Sequence, residues 1–184
     1  MKNKLSSVLA TLLLITTVAV AQKEEEVKSP VHWLTFEEAI EKSKVEKRKI
    51  FIDVYTDWCG WCKVMDKNTF SEPNVAQILN EKFYPVKFDA EQTEDVVFNG
   101  TTFKFVPYGN KGTHQLAAAL LNNQLAYPTV VFLNEEFAMI QPLQGYQKAE
   151  EFHRIIKFIG DDHYKTMKWD DFQSIYKSPY GDDE

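Results

Sequence analysis

"TDWCGWCK", Thr56 to Lys63, holds both cysteines of a chain of 184 residues. They stand three apart, with Trp58 and Trp61 beside them. A disulfide closing so short a loop stabilises a fold by about 2 kcal/mol in the loop-entropy picture, against about 3 kcal/mol for a fifteen-residue loop. A domain of this length gains little from that clip. The same spacing lets a disulfide form and break with little backbone movement, so redox chemistry explains the pair better than a staple. Zinc is the remaining use of the pattern. A structural zinc site wants four ligands, and His32, His114, His153 and His163 supply no pair at ligand spacing. No metal is expected.

The residues before the pair read as a buried strand. "KIFIDVYT", Lys49 to Thr56, is apolar and β-branched except for Asp53, six residues before Cys59. An unpartnered carboxylate in such a run is costly to bury. Either Asp53 faces solvent, or it is buried with a raised pKa and accepts a proton from Cys62. Ile50, Phe51, Ile52, Val54 and Tyr55 leave no clean polar face, which favours burial. The strand then runs straight into a helix starting at Cys59. Free N–H groups and the positive dipole end at a helix N-terminus favour a thiolate there. Cys62, nearly a turn further in, suits the resolving role. Gly60 lets a client backbone approach.

Other elements follow from pattern. Thr35 to Glu38 is a capping box opening a helix to about Val45. A helix is expected over 74–83 and a strand over "YPVKFDA". Asn99-Gly100 between apolar arms signals a hairpin. Pro107 to Gly112 reads as loop, with a helix capped by Thr113 after it. "YPTVVFLN" and "AMIQPLQGY" are strands, the second at an edge because of Pro142. "KAEEFHRIIKFIG" is an amphipathic helix closed by Gly160. Trp169, Phe172 and Tyr176 lie on one face of a short helical extension and are expected to clamp it onto its own domain. The last residues, from Ser178, are expected to be disordered.

The N-terminus sets the compartment. Lys2 and Lys4, an apolar run from Val8 to Ile15, and Ala19-Val20-Ala21 read as a signal peptide over 1–21. A charged linker over 22–32 follows. The chain is therefore expected to be exported, periplasmic or secreted, and soluble after cleavage. Its net charge of −6 argues against nucleic acid as a partner.

Asp53 followed by "VYTDWCGWCK" resembles the active-site segment of the thioredoxin superfamily. The resemblance spans about Trp33 to Gly160 and implies a three-layer α/β/α sandwich with a mixed central sheet. This chain departs from the family pattern by a hairpin insertion over about 96–112 and carries a helical extension over 161–184. "YPT" at 127–129 is similar to that family's cis-proline loop, which implies that Tyr127 and Pro128 lie against the cysteines. Lys87 matches the lysine that accompanies the buried acid, and Gly145 a glycine near the substrate groove. "TFSEPNVAQILNEKFYPVKFDAE" is similar to the soluble domain of thiol–disulfide interchange proteins. Cytoplasmic thioredoxins have Pro where Trp61 stands.

The implied function is an exported thiol–disulfide oxidoreductase that reduces protein disulfides. Cys59, Cys62, Asp53 and Lys87 would be its catalytic residues. Trp58, Gly60, Trp61, Tyr127, Pro128 and Gly145 would form its substrate surface. No cofactor is implied beyond the redox-active disulfide. Its partners would be protein disulfide or dithiol clients and a membrane interchange protein as electron donor, with the chain itself a monomer. The competing class is a client-binding module without catalysis; an oxidase or isomerase uses the same parts.

Overall fold

The computed structural model describes residues 31–181. The expected signal peptide and most of the expected linker lie outside them. Strands β1 (Lys49–Tyr55), β2 (Phe83–Asp89), β7 (Thr129–Leu133) and β8 (Met139–Gln144) form one sheet in the order β2-β1-β7-β8. β1 and β2 are parallel; β1 with β7 and β7 with β8 are antiparallel. Pro142 does lie on the edge strand, where a missing N–H costs no ladder bond. The architecture is a mixed α/β sandwich of three layers.

Period-two alternation along β1 builds two cores. Ile50, Ile52 and Val54 face a layer formed by α1 (Phe36–Val45) and α4 (Gln115–Leu120). Phe51 faces the other layer. That layer holds α2 (Gly60–Met65), the π-helical turn Asp66–Phe70, α3 (Pro73–Lys82) and α5 (Ala149–Gly160). The Phe51 ring meets Phe70, Phe132 and Phe152 at 5.7, 5.5 and 5.7 Å between centroids. Asp53, two residues on, is therefore directed at the layer that carries the cysteines.

The capping box of α1 is complete, with Thr35 Oγ1 accepting the Glu38 N–H and the Glu38 carboxylate accepting the Thr35 N–H. Thr35→Ala is expected to cost about 1 kcal/mol, read as a lower urea midpoint with an unchanged slope.

The insertion departs from expectation. The Asn99-Gly100 hairpin is present as β3 (Val96–Phe98) and β4 (Thr101–Phe103), with both turn residues at positive φ. The expected loop from Pro107 to Gly112 is instead part of a second hairpin, β5 (Phe105–Tyr108) with β6 (Lys111–His114). Gly112 makes it possible, because a Cβ there would fall 1.9 Å from the Phe105 ring. The following helix is capped by His114, not Thr113: His114 Nδ1 accepts the Leu116 N–H. It ends early, at Leu120, before Asn122 and Asn123 at positive φ.

Both ends of the described chain are better packed than expected. Val31 is buried, and the His32 N–H donates to Asn80 Oδ1. α6 (Trp169–Ile175) clamps back as expected, with Trp169 and Phe172 each 5.1 Å from Phe158. Ser178 to Tyr180, expected to be disordered, continue along α5: Ser178 Oγ donates to Glu150, and the Tyr180 hydroxyl to Glu72. Each aromatic there adds area and a polar anchor, which offsets the entropy of ordering the segment.

Candidate active site

The loop between β1 and α2 is one tight turn. The Cys59 N–H donates to the Thr56 carbonyl at 3.1 Å. Cys59 is extended and caps α2, its Sγ accepting the Cys62 N–H at 3.1 Å. A sulfur in that position is a hydrogen-bond acceptor at a positive helix end, which favours its anionic form. Cys59 and Cys62 are joined as a disulfide. Both are largely covered, 5% and 3% exposed. An added Cβ on Gly60 would meet nothing within 4 Å, so the space above it is open.

Asp53 is 1% exposed, which excludes the solvent-facing alternative. Lys87, its register neighbour on β2, donates to Asp53 Oδ2 at 2.6 Å. Burial raises the Asp53 pKa to about 6, and Lys87 opposes that rise without cancelling it. Asp53 Oδ1 has no hydrogen-bond partner among the described residues. Burial pushes Lys87 down, but the Asp53 and Asp66 carboxylates outweigh it and hold the ammonium above its ordinary value. The same ammonium lies 4.9 Å from the Trp33 ring centroid and 5.1 Å from that of Tyr55.

Asp66 was not singled out in the sequence. It closes α2, where its N–H bonds the Cys62 carbonyl, and its carboxylate also pairs with Lys87. Lys87 thus ties the buried acid in β1 to the helix that carries both cysteines. The signal that could have found Asp66 is its position one turn beyond Cys62.

The antiparallel pairing of β1 with β7 brings the start of β7 to the end of β1. Pro128 follows a cis peptide bond from Tyr127. The Gly145 N–H donates to the Pro128 carbonyl at 2.8 Å, and Gly145 has φ +91°, a region that excludes most side chains. The cysteine turn, Tyr127-Pro128 and Gly145 therefore share one end of the sheet. Trp58 packs edge-on against Tyr127, 5.8 Å between centroids, and its indole N–H donates to Glu91 at 3.0 Å. It nonetheless stays 63% exposed, so it is as open to a client as Trp61 at 62%. Trp61 packs against Tyr146, 5.4 Å between centroids with the rings tilted by 42°. Tyr146, Glu91 and Lys111 complete the rim and were missed in the sequence. Tyr127 is pushed up to about 12, by burial first and then by Glu91, Tyr108 and Asp89.

Such an arrangement can exchange disulfides: a sulfur at a helix cap, a second sulfur beside it, a buried proton acceptor and an apolar rim. Among the described residues no helix is long and apolar enough to cross a membrane.

Comparison with known proteins agrees with this geometry. The chain is 38% identical over 69 residues to the uncharacterized protein B0495.5 of Caenorhabditis elegans, covering 37% of this chain and 10% of that one. It is 33% identical over 55 residues to the thiol:disulfide interchange protein DsbD of Pseudomonas fluorescens, covering 30% and 9%. The chain thus spans about a tenth of the length of these curated relatives. Among solved structures, a putative disulphide-isomerase from Bacteroides thetaiotaomicron superposes with a TM-score of 0.51 at 26% identity, over 71% of this chain and 94% of that one. A thioredoxin from Thermus thermophilus gives 0.52 at 18% identity, over 71% and 88%, which shows the shared fold. The model of the family Thioredox_DsbH, described as "Protein of unknown function, DUF255", matches residues 19–160. With the thioredoxin fold, the bonded cysteine pair and a match across most of its length, the chain belongs to the Thioredox_DsbH family.

Proposed function

We propose that this protein is an exported thiol–disulfide oxidoreductase that reduces protein disulfides. The observation that carries the reading is Cys59 at the helix cap, bonded to Cys62, with Asp53 buried in the strand that leads into them. In the reduced protein, the Cys59 thiolate attacks a client disulfide. One client sulfur leaves as a thiolate and takes a proton from solvent, and a mixed disulfide forms. Cys62 then gives its proton to the Asp53 carboxylate and attacks Cys59. The second client thiolate leaves, the Cys59–Cys62 disulfide forms, and two electrons have passed to the client. Lys87 holds Asp53 in place and keeps part of its charge balanced.

Charge near the pair supports the proposed direction. Stabilising the thiolate stabilises the reduced form and makes a pair oxidising. Here Asp57 stands two residues before Cys59 and belongs to an acidic group: burial first, then the Asp57, Glu91 and Glu94 carboxylates, raise the Asp89 pKa, a backbone hydrogen bond opposing. The Asp57 carboxylate opposes the thiolate that the helix N-terminus favours, which supports reading the pair as a reductant. A reductant in an oxidising compartment must be reloaded. The similarity to DsbD supports a membrane interchange protein as the dithiol donor.

The test is the reduction potential of the pair, by equilibration with thiol buffers and alkylation of free thiols. A value near that of thioredoxin, about −270 mV, is expected. A value near about −120 mV, as in a dedicated oxidant, would reverse the assigned direction.

A further inference from the structure

The β5–β6 hairpin is not needed to close either core, yet it stands against the site. It is tied there at its base: the His114 N–H donates to the Ala90 carbonyl at 2.7 Å and the Gln115 N–H to the Lys104 carbonyl at 2.8 Å. Its two faces differ. Phe105 and Gly112 share one face, where the Phe105 ring lies across the glycine. Val106, Tyr108, Lys111 and Thr113 share the other, with Tyr108 opposite Lys111. That second face meets the aromatic rim. The Lys111 ammonium is 6.0 Å from the Trp58 ring centroid, and Tyr108 is close enough to Tyr127 to shift its ionisation. Tyr108 is nevertheless 55% exposed, and Trp58 63%.

Charge distinguishes what would fit. Glu91, bonded to Trp58, and Asp57, Asp89 and Glu94 collect on the side of the rim below the hairpin. The hairpin base is joined to them, since His114 Nε2 contacts the Glu94 carbonyl at 3.1 Å. Lys104 is already paired with Asp95, which leaves Lys111 as the hairpin's cation over Trp58. A cationic segment would meet net attraction here, an anionic one repulsion.

Resting on the reductase reading above, we propose that the β5–β6 hairpin is the specificity wall of this site. It selects client disulfides carried in extended segments with an apolar residue beside the cysteine and Lys or Arg in the flanks. Trp58 and Tyr108 would take the apolar residue, and the acidic side of the rim the cations.

The test uses the pre-reduced full chain and peptides whose single cysteine is activated as a thiopyridyl disulfide. The dithiol releases thiopyridone, read by absorbance in single turnovers. Peptides carry lysines or glutamates on both flanks, and dipyridyl disulfide serves as the small neutral substrate. The Lys-flanked peptide should react about 10-fold faster at low salt, and the ratio should fall to within about 2-fold near 1 M salt. Glu94→Lys should lower the ratio and Lys111→Glu should raise it. Tyr108→Ser should slow Leu-adjacent peptides more than Ala-adjacent ones. Equal rates for both peptides, with dipyridyl disulfide still consumed, overturn this proposal alone. A preference that neither Lys111→Glu nor Tyr108→Ser moves overturns the assignment to the hairpin, whatever Glu94→Lys does. Failure to react with any disulfide overturns the reductase reading as well.

Discussion

Cys59→Ser should lower the rate of disulfide reduction by at least about 1,000-fold, while Cys62→Ser should trap its client. The asymmetry follows from position. Cys59 is the helix cap, where its sulfur accepts the Cys62 N–H. A serine hydroxyl in its place is not ionised at neutral pH and is a poor nucleophile without a general base. Cys62 enters only after the first exchange. Without it the mixed disulfide forms but has no neighbouring thiol to release it. An adduct of protein and client should then accumulate, visible on non-reducing gels and cleaved by dithiothreitol. Both variants should stay folded, because the loop closed by the disulfide is short and its loss costs only about 2 kcal/mol. The double substitution separates catalysis from binding, since a pure client-binding module would keep its clients without either sulfur. Reduction at the wild-type rate by Cys59→Ser would sink the proposed mechanism. Stable adducts on Cys59→Ser, with none on Cys62→Ser, would exchange the roles of the two sulfurs.

What could be read from sequence was local, and what could not was contact between distant segments. The run around Asp53 announces a buried strand, and its odd residue is explained once alternation places it on the Phe51 face. The Asn99-Gly100 turn also carries its own signal, because few other residues adopt positive φ twice in succession. The second hairpin carries the opposite signal: Pro107, Gly109 and Gly112 each read as breakers. It forms because Pro107 lies opposite Gly112, Gly109 adopts φ +57° at the turn, and the Ala90 carbonyl anchors His114. Asp66 reads as an ordinary surface acid on a helix. Only the arrival of Lys87 from β2, across 21 residues, makes it part of the site. The tail likewise looks polar and unstructured until Tyr180 meets His153, 5.7 Å between ring centroids, and its hydroxyl reaches Glu72.

Asp53→Asn should change both the pH dependence of stability and the second chemical step, and the two effects test different things. Burial raises the Asp53 pKa from 3.8 to about 6. Between those two values the folded protein keeps a proton that the unfolded chain has released. The contribution of Asp53 to stability therefore falls as pH rises from 3.8 to about 6, by up to about 3 kcal/mol at 1.36 kcal/mol per pKa unit, and does not change above that. Asparagine does not titrate, so the variant should lose that slope, and its stability relative to wild type should rise with pH across the same window. Urea unfolding of the oxidised protein at a series of pH values measures it, with no thiol titrating to confuse the profile. The variant keeps Lys87 paired with Asp66, so it does not strand that cation. The chemical effect is separate. Asparagine cannot take the Cys62 proton, so the mixed disulfide formed with a client should resolve at least about 100-fold more slowly at pH 7. The step should also lose its rise through pH 6, because the group that titrates there is gone. A purely structural Asp53 would alter the unfolding profile and leave the lifetime of the mixed disulfide unchanged. That outcome would remove Asp53 from the proton path and leave solvent as the acceptor for Cys62.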